Sequence, residues 1–315
     1  MLGGLLTFGS RSFISGSFSK SYGISRYLRR IKRSKGAEQY LKTEHYNLPE
    51  LGQLYGGKGE LNLETLLASG AEVVIDVGEP KKTIKEDLDA LQEQTKIPFV
   101  HITAKLDNMG EAFRKLGELV GMKEEAEALA VYCEKTLEQT NKIANEVTKA
   151  KLLYITGPEG LNVIAKGSFH AEVIDLLADN LAEVADPSSK GSGNEVDMEQ
   201  LLKWNPDVIL FGPGSIYKTV GSEETWQKLS AIKNGTYYEV PEGPYNWMGF
   251  PPSVQRYLGM LWMAKLLYPE QASYDLYEAV AEYYKLFYHS DLTKEQYEAL
   301  VENSIGAQAK LKPAA

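Results

Sequence analysis

Met122-Lys-Glu-Glu-Ala-Glu-Ala-Leu-Ala-Val-Tyr-Cys-Glu-Lys-Thr-Leu-Glu-Gln-Thr-Asn-Lys-Ile-Ala-Asn-Glu-Val-Thr-Lys149 is the stretch on which the fold turns. Ala126, Leu129, Ala130, Cys133, Leu137, Thr140, Ile143, Ala144 and Val147 recur at helical spacing, and no Gly or Pro interrupts them. At about 1.5 Å per residue the helix is roughly 40 Å long, the width of a small domain. Similar text lies on both sides of it. Before it runs Asn62-Leu-Glu-Thr-Leu-Leu-Ala-Ser-Gly-Ala-Glu-Val-Val-Ile75; after it runs Asp197-Met-Glu-Gln-Leu-Leu-Lys-Trp-Asn-Pro-Asp-Val-Ile-Leu210. Each copy opens with an N-cap residue, carries Leu-Leu at the same offset, turns, and enters a β-branched strand. Each strand ends in a Gly-containing loop, and a further helix and short strand follow, at 97–102 in the first copy and 235–240 in the second. The pattern predicts two Rossmann-like α/β lobes (1–121 and 150–315) joined by one long helix (122–149), with a ligand cleft between the lobes. A single α/β domain whose successive units merely look alike is the alternative.

The 315 residues suffice for two domains with proper cores. A net charge of −9 argues against nucleic acid as a partner, since phosphate binding needs a basic footprint. The lone cysteine, Cys133, excludes an internal disulfide and reads as a packed core thiol. Four scattered histidines (His45, His101, His170, His289) give no zinc-type spacing. No apolar run is long enough to span a membrane.

The charge is uneven: residues 1–35 hold eight Lys or Arg and no acid, leaving the other 280 residues at −17 against the whole-chain −9. Arg- and Ser-rich composition suggests a targeting segment, but there is no proper hydrophobic region and no small-residue cleavage site. A weak strand is expected at Gly4–Phe8 and a short basic helix near 27–31. The glycine-dense loop 51–59 lacks the Gly-x-x-x-x-Gly-Lys-Ser/Thr pattern and reads as a flexible cleft rim, not a phosphate loop.

The remaining expectations follow from local pattern. Strands are expected at 73–77, 99–102, 151–156 and 161–165, and helices at 83–95, 108–120, 171–177, 253–268 (capped at Ser253), 273–289 and 293–303. The loop 241–252 is rich in Pro and Gly, with three aromatics. Trp204, Trp226 and Trp262 lie on apolar helical faces and read as core.

The central helix, the paired Leu-Leu repeats, Lys166-Gly-Ser-Phe-His170 and Asn246-Trp-Met-Gly-Phe-Pro-Pro-Ser253 together resemble one family, over roughly residues 45–303. It comprises the solute-binding proteins of ABC importers for iron-siderophore, haem and cobalamin-type metal chelates. The resemblance implies two lobes bridged by a rigid helix, a ligand held in a shallow cleft with modest closure, and an extracytoplasmic monomer. Its partners would be an ABC permease and its ATPase, with no nucleic acid and no cofactor beyond the chelate itself. The first 35 residues depart from the family, whose members begin with an export signal and a strand-turn-helix. A truncated or altered start is therefore expected, and with it the alternative of a protein that binds no ligand.

Chelates are large, partly aromatic and often anionic, so a site needs flat rings, cationic groups and donors at loop tips. Trp247 and Tyr245 lead, in a loop where turn residues leave no helix to bury them. Phe169 and His170 follow, at a helix start whose N–H groups suit an anion. Tyr55 and Lys58, then Tyr217 beside Lys218, come next. Arg256 either faces the ligand or pairs with a carboxylate. The resemblance further implies acidic permease-docking residues, for which Glu79 or Glu86 and Glu223 or Glu224 are the candidates. Two other readings compete. An enzyme would have Asp76 and Glu79 as a carboxylate pair. A binding protein for a bare metal ion would need three or four His or carboxylate ligands.

Overall fold

The computed structural model describes residues 4–8, 21–24, 37–41, 51, 61–188, 190–249 and 252–307. The chain falls into two compact units, Met1–Cys133 and Glu134–Ala315. The long helix spans Lys123–Glu146, so the division falls inside it. Its buried positions include Ala126, Ala130, Cys133, Thr136, Thr140 and Ile143, a single stripe at spacings of three and four. The Thr140 hydroxyl donates to the Thr136 carbonyl at 2.8 Å, which removes the penalty of placing it there.

The first unit is built on a four-stranded sheet in the order β2-β1-β3-β4. β1 is Gly4–Phe8, β2 Ser21–Ile24, β3 Val73–Gly78 and β4 Phe99–Thr103. β3 and β4 are parallel, as a helical crossover requires, whereas β1 runs antiparallel to both β2 and β3. The crossover is the helix Ile84–Thr95. It seats Leu88 in a core with Val74, Phe99, Leu51 and Leu66. The helix Met109–Val120 buries Met109, Phe113, Leu116 and Val120. It then approaches the long helix so closely that a Cβ on Gly117 would lie 2.3 Å from that of Ala126.

The second unit has a six-stranded sheet in the order β10-β9-β5-β6-β8, with β7 beside the first half of β5. β5 is Lys151–Thr156, β6 Asn162–Val163, β7 Asp179–Asn180, β8 Asn194–Glu195, β9 Val208–Phe211 and β10 Tyr237–Glu239. β7 and β9 are parallel to β5, and β10 is parallel to β9. β6 folds back antiparallel to β5 and pairs antiparallel with β8. The expected strand 161–165 is thus shorter than its apolar text. The Ile164 N–H already turns to the Tyr154 carbonyl, and the Lys166 N–H goes to that of Ala182.

The repeat holds at side-chain resolution. Asn62 and Asp197 each accept a hydrogen bond from the backbone N–H three residues on, at 2.9 and 2.8 Å. Each caps a short helix, Leu63–Ala68 and Met198–Trp204, that feeds a parallel strand. The helix expected from Ser253 begins instead at Arg256, and Gln255 supplies no side-chain cap. The Ser253 carbonyl accepts the Arg256 N–H, holding 253–255 as a turn. That helix, Arg256–Leu267, is buried nearly all round. Trp226 and Trp262 are core, and Trp204 packs against the core cluster from a half-buried position. Asp275 and Thr293 cap the last two helices, and the first of these continues as a π-helical turn, Tyr284–Tyr288.

Candidate functional site

Two loops of the second unit are stitched to each other. The first follows β6. Gly167, at φ +78°, turns the chain, and its N–H donates to Asp175 Oδ2 at 2.7 Å. Asp175 Oδ1 accepts from Asn180 Nδ2 at 2.9 Å, so one carboxylate anchors the turn to β7. Phe169–Ala171 then form a 3-10 turn running into the helix Glu172–Leu177. Because β6 is antiparallel to β5, this loop does not leave from the carboxyl edge of the parallel strands, as a strand-following ligand loop would.

The second loop, described over 241–249 and 252–255, follows β10. Asn246 organises it: Oδ1 accepts the Met248 N–H at 2.8 Å, and Nδ2 donates to the Tyr154 hydroxyl at 3.0 Å. The Trp247 N–H goes to the Pro241 carbonyl, and the Tyr284 hydroxyl donates to that of Gly243.

Two bonds join the loops. His170 Nδ1 lies 3.0 Å from the Gly249 carbonyl. A carbonyl only accepts, so Nδ1 carries the hydrogen. Arg256, 1% exposed, sends Nη1 to the Glu172 carboxylate and to the Phe169 carbonyl at 3.4 Å. Its guanidinium carbon sits 4.6 Å from the Phe169 ring centroid, within cation–π range. Of the two roles open to Arg256, the structure shows the carboxylate pair.

Other candidates fare differently. Trp247 is fully buried, which corrects the expectation of an exposed platform. The reason is Gly259: a Cβ there would lie 2.5 Å from the Trp247 carbonyl oxygen, so the helix Arg256–Leu267 lies directly on the loop. His170 is likewise buried, not a surface residue of a helix start. Tyr245 is half-buried against Tyr288, with ring centroids 6.4 Å apart. Tyr217 packs on the Phe211 and Tyr237 rings and donates to the Asn303 carbonyl at 3.1 Å; burial, then Glu239, push its phenol up to about 12. It is not brought to the two stitched loops by any of these contacts. Lys218 is exposed. Tyr55 and Lys58 lie outside the described residues.

Of the acidic candidates, Glu86, Glu223 and Glu224 are exposed, and half-exposed Glu79 pairs with Lys81 at 3.2 Å. Asp76 does not pair with Glu79. It holds His101 Nδ1 at 2.7 Å, and His101 Nε2 lies 3.3 Å from the Thr103 hydroxyl. That constellation escaped sequence reading, because only the β3–β4 register sets residue 76 opposite 101. Among the described residues no group of three or more His, Cys, Asp or Glu is arranged to hold a metal ion, and no helix is long and apolar enough to cross a membrane. An open surface groove of about 540 Å³ is lined by Glu183, Asp197 and Glu199 beside Lys203 and Trp204, with Glu183 paired to Lys166 at 2.8 Å.

Residues 37–244 match the family model described as periplasmic binding protein. The chain belongs to this family, the solute-binding components of ABC transporters, which bind and deliver and are not enzymes. It is 30% identical to a solved ABC transporter solute binding protein from Sulfurospirillum deleyianum, with a TM-score of 0.77, covering 84% of this chain and 82% of that one. A periplasmic solute binding protein from Veillonella parvula shares the fold at a TM-score of 0.73 and 23% identity, over 90% and 86% of the two chains. The molybdate-binding protein MolA of Haemophilus influenzae is 26% identical over 271 residues, 77% of this chain and 74% of that protein.

Proposed function

We propose that this protein captures an anionic, metal-bearing solute and delivers it to an ABC permease and its ATPase. The solute would be a metal chelate of iron-siderophore, haem or corrinoid type, or a metal oxyanion such as the one named for the molybdate-binding relative. The observation that carries the reading is the stitched loop pair. It gathers the Phe169 ring, His170 and Arg256 in one place, held by His170–Gly249 and Arg256–Glu172. Rings and hydrogen-bond donors suit an oxygen-rich anion better than a bare cation. Glu79, Glu86, Glu223 and Glu224 are the proposed docking groups, acting in steering and register. No reaction is assigned to any of these residues.

A second reading, a bare transition-metal ion, is favoured by one observation. Asp76 holds His101 Nδ1, the arrangement by which a carboxylate orients a metal-ligating imidazole. Tryptophan fluorescence titrated with haem, a corrinoid, ferric siderophores, molybdate, cobalt(II) and nickel(II) separates the two. A saturable response to a chelate or oxyanion is expected; a response to the free cations alone moves the assignment to the second reading.

A further inference from the structure

Two buried polar atoms at the stitched loops lack what burial demands. Ser168 Oγ and Trp247 Nε1 are inaccessible to solvent and, among the described residues, meet no hydrogen-bond partner. Ser168 as a residue is 7% exposed and Trp247 0%. Native proteins pair such groups, because an unpaired buried donor keeps the whole of its desolvation penalty. The two lie on opposite sides of one connection. Ser168 is two residues before His170, and Trp247 two residues before Gly249, and His170 Nδ1 bonds the Gly249 carbonyl at 3.0 Å. Arg256 reinforces it, bonding the Phe169 carbonyl while its Cδ lies 3.0 Å from the position a Cβ on Gly249 would take.

An indole N–H only donates. Whatever completes Trp247 must therefore bring an acceptor atom, which a bare cation does not. We propose that Ser168 and Trp247 are specificity-determining donors of the binding site, and that both are completed by acceptor oxygens of an anionic ligand. This rests on the function proposed above and narrows it: the ligand is recognised through its oxygens, whether those of a free metal oxyanion or those of a chelating organic acid.

Calorimetric titration of the full chain tests this, with molybdate and tungstate as oxyanions, ferric citrate as an oxygen-rich chelate, and cobalt(II) chloride as the bare cation. Wild type should bind one oxygen-bearing probe saturably, and which one distinguishes the two sources. Ser168→Ala and Trp247→Phe should each weaken that probe about tenfold, a typical worth for one hydrogen bond to a charged group. The unfolding temperature of Ser168→Ala should hold or rise, since it removes an unpaired buried hydroxyl, whereas Trp247→Phe also loses buried ring volume and is read by its affinity. If Trp247→Phe loses its cooperative unfolding transition, Ser168→Ala decides alone. Unchanged affinity in both variants, with a lowered unfolding temperature in Ser168→Ala, would mean that internal water completes the donors, which overturns the inference and leaves the proposed function standing. Binding of cobalt(II) alone would overturn both, and binding of none of the oxygen-bearing probes would overturn the inference and leave the proposed function to the haem, corrinoid and siderophore titrations.

Discussion

His170 Nδ1 donates to the Gly249 carbonyl across 3.0 Å, joining loops whose sequence positions differ by 79 residues. A carbonyl only accepts, so Nδ1 is the donor of this contact. Replacing His170 by Ala should cost about 1 kcal/mol of stability for the lost bond, and more where the Gly249 carbonyl stays buried without a donor. Urea unfolding of wild type, His170→Ala and His170→Asn measures it. Asn keeps a donor near Nδ1 and should recover part of the loss.

Arg256 and Glu172 form an ion pair in which the Arg side chain is 1% exposed and the Glu 25%. Removing one member of such a pair strands the other charge. Arg256→Ala should therefore destabilise by about 3–5 kcal/mol, and Glu172→Gln by less, because Glu172 keeps access to water. Arg256→Lys should not rescue fully, since an ammonium cannot reach the Glu172 carboxylate, the Phe169 carbonyl and the Phe169 ring as one planar group does. Equal stability of wild type and Arg256→Ala in denaturant melts would refute the buried-pair account.

The repeat gives matched predictions in the two units. Asn62→Ala and Asp197→Ala should each cost about 1 kcal/mol through loss of a cap. Four residues beyond each cap, Leu66 and Leu201 are both 0% exposed, and truncation of either to Ala should cost about 2–5 kcal/mol. Leu67 is 52% exposed, and its truncation should be within about 0.5 kcal/mol of neutral. Thermal melts of the five variants check the pattern.

Gly259→Ala places a methyl against the Trp247 carbonyl, which neither backbone can accommodate without moving. A loss of about 1–3 kcal/mol is expected, with the 241–255 loop displaced. A red shift in tryptophan emission, reporting water at Trp247, would accompany it. An unshifted spectrum at full stability would show that the helix and loop do not meet as described.

Burial raises the phenols of Tyr217 and Tyr297 to about 12 each, above the ordinary value of 10.0. The folded state therefore favours the neutral phenol. That contribution is complete below pH of about 10 and disappears as pH rises through about 12. Stability should fall across this window, and the fall should be shallower in Tyr217→Phe with Tyr297→Phe. Parallel titrations of phenolate absorbance and of the unfolding temperature read both quantities.

Much of the fold was legible before any coordinates, because its signals are local. A capping side chain reaches only three residues, and the stripe 126, 130, 133, 140, 143 repeats within a turn of helix. Asn62, Asp197, the long helix and the strands at 73, 99, 151 and 208 are therefore readable from adjacent text, and so is the family that those elements resemble. The candidate site was half legible. Residues 169, 170 and 247 were singled out as candidates from turn chemistry and residue type, but the burial of His170 and Trp247 was not legible. Trp247 is covered by a helix that only Gly259 allows so close, and His170 by a carbonyl 79 positions away. Asp76 meets His101 through strand register, and among the described residues Ser168 Oγ and Trp247 Nε1 are buried without a hydrogen-bond partner. Those are relations between distant segments, fixed by how helices and strands pack, and no periodicity within a single stretch of chain encodes them.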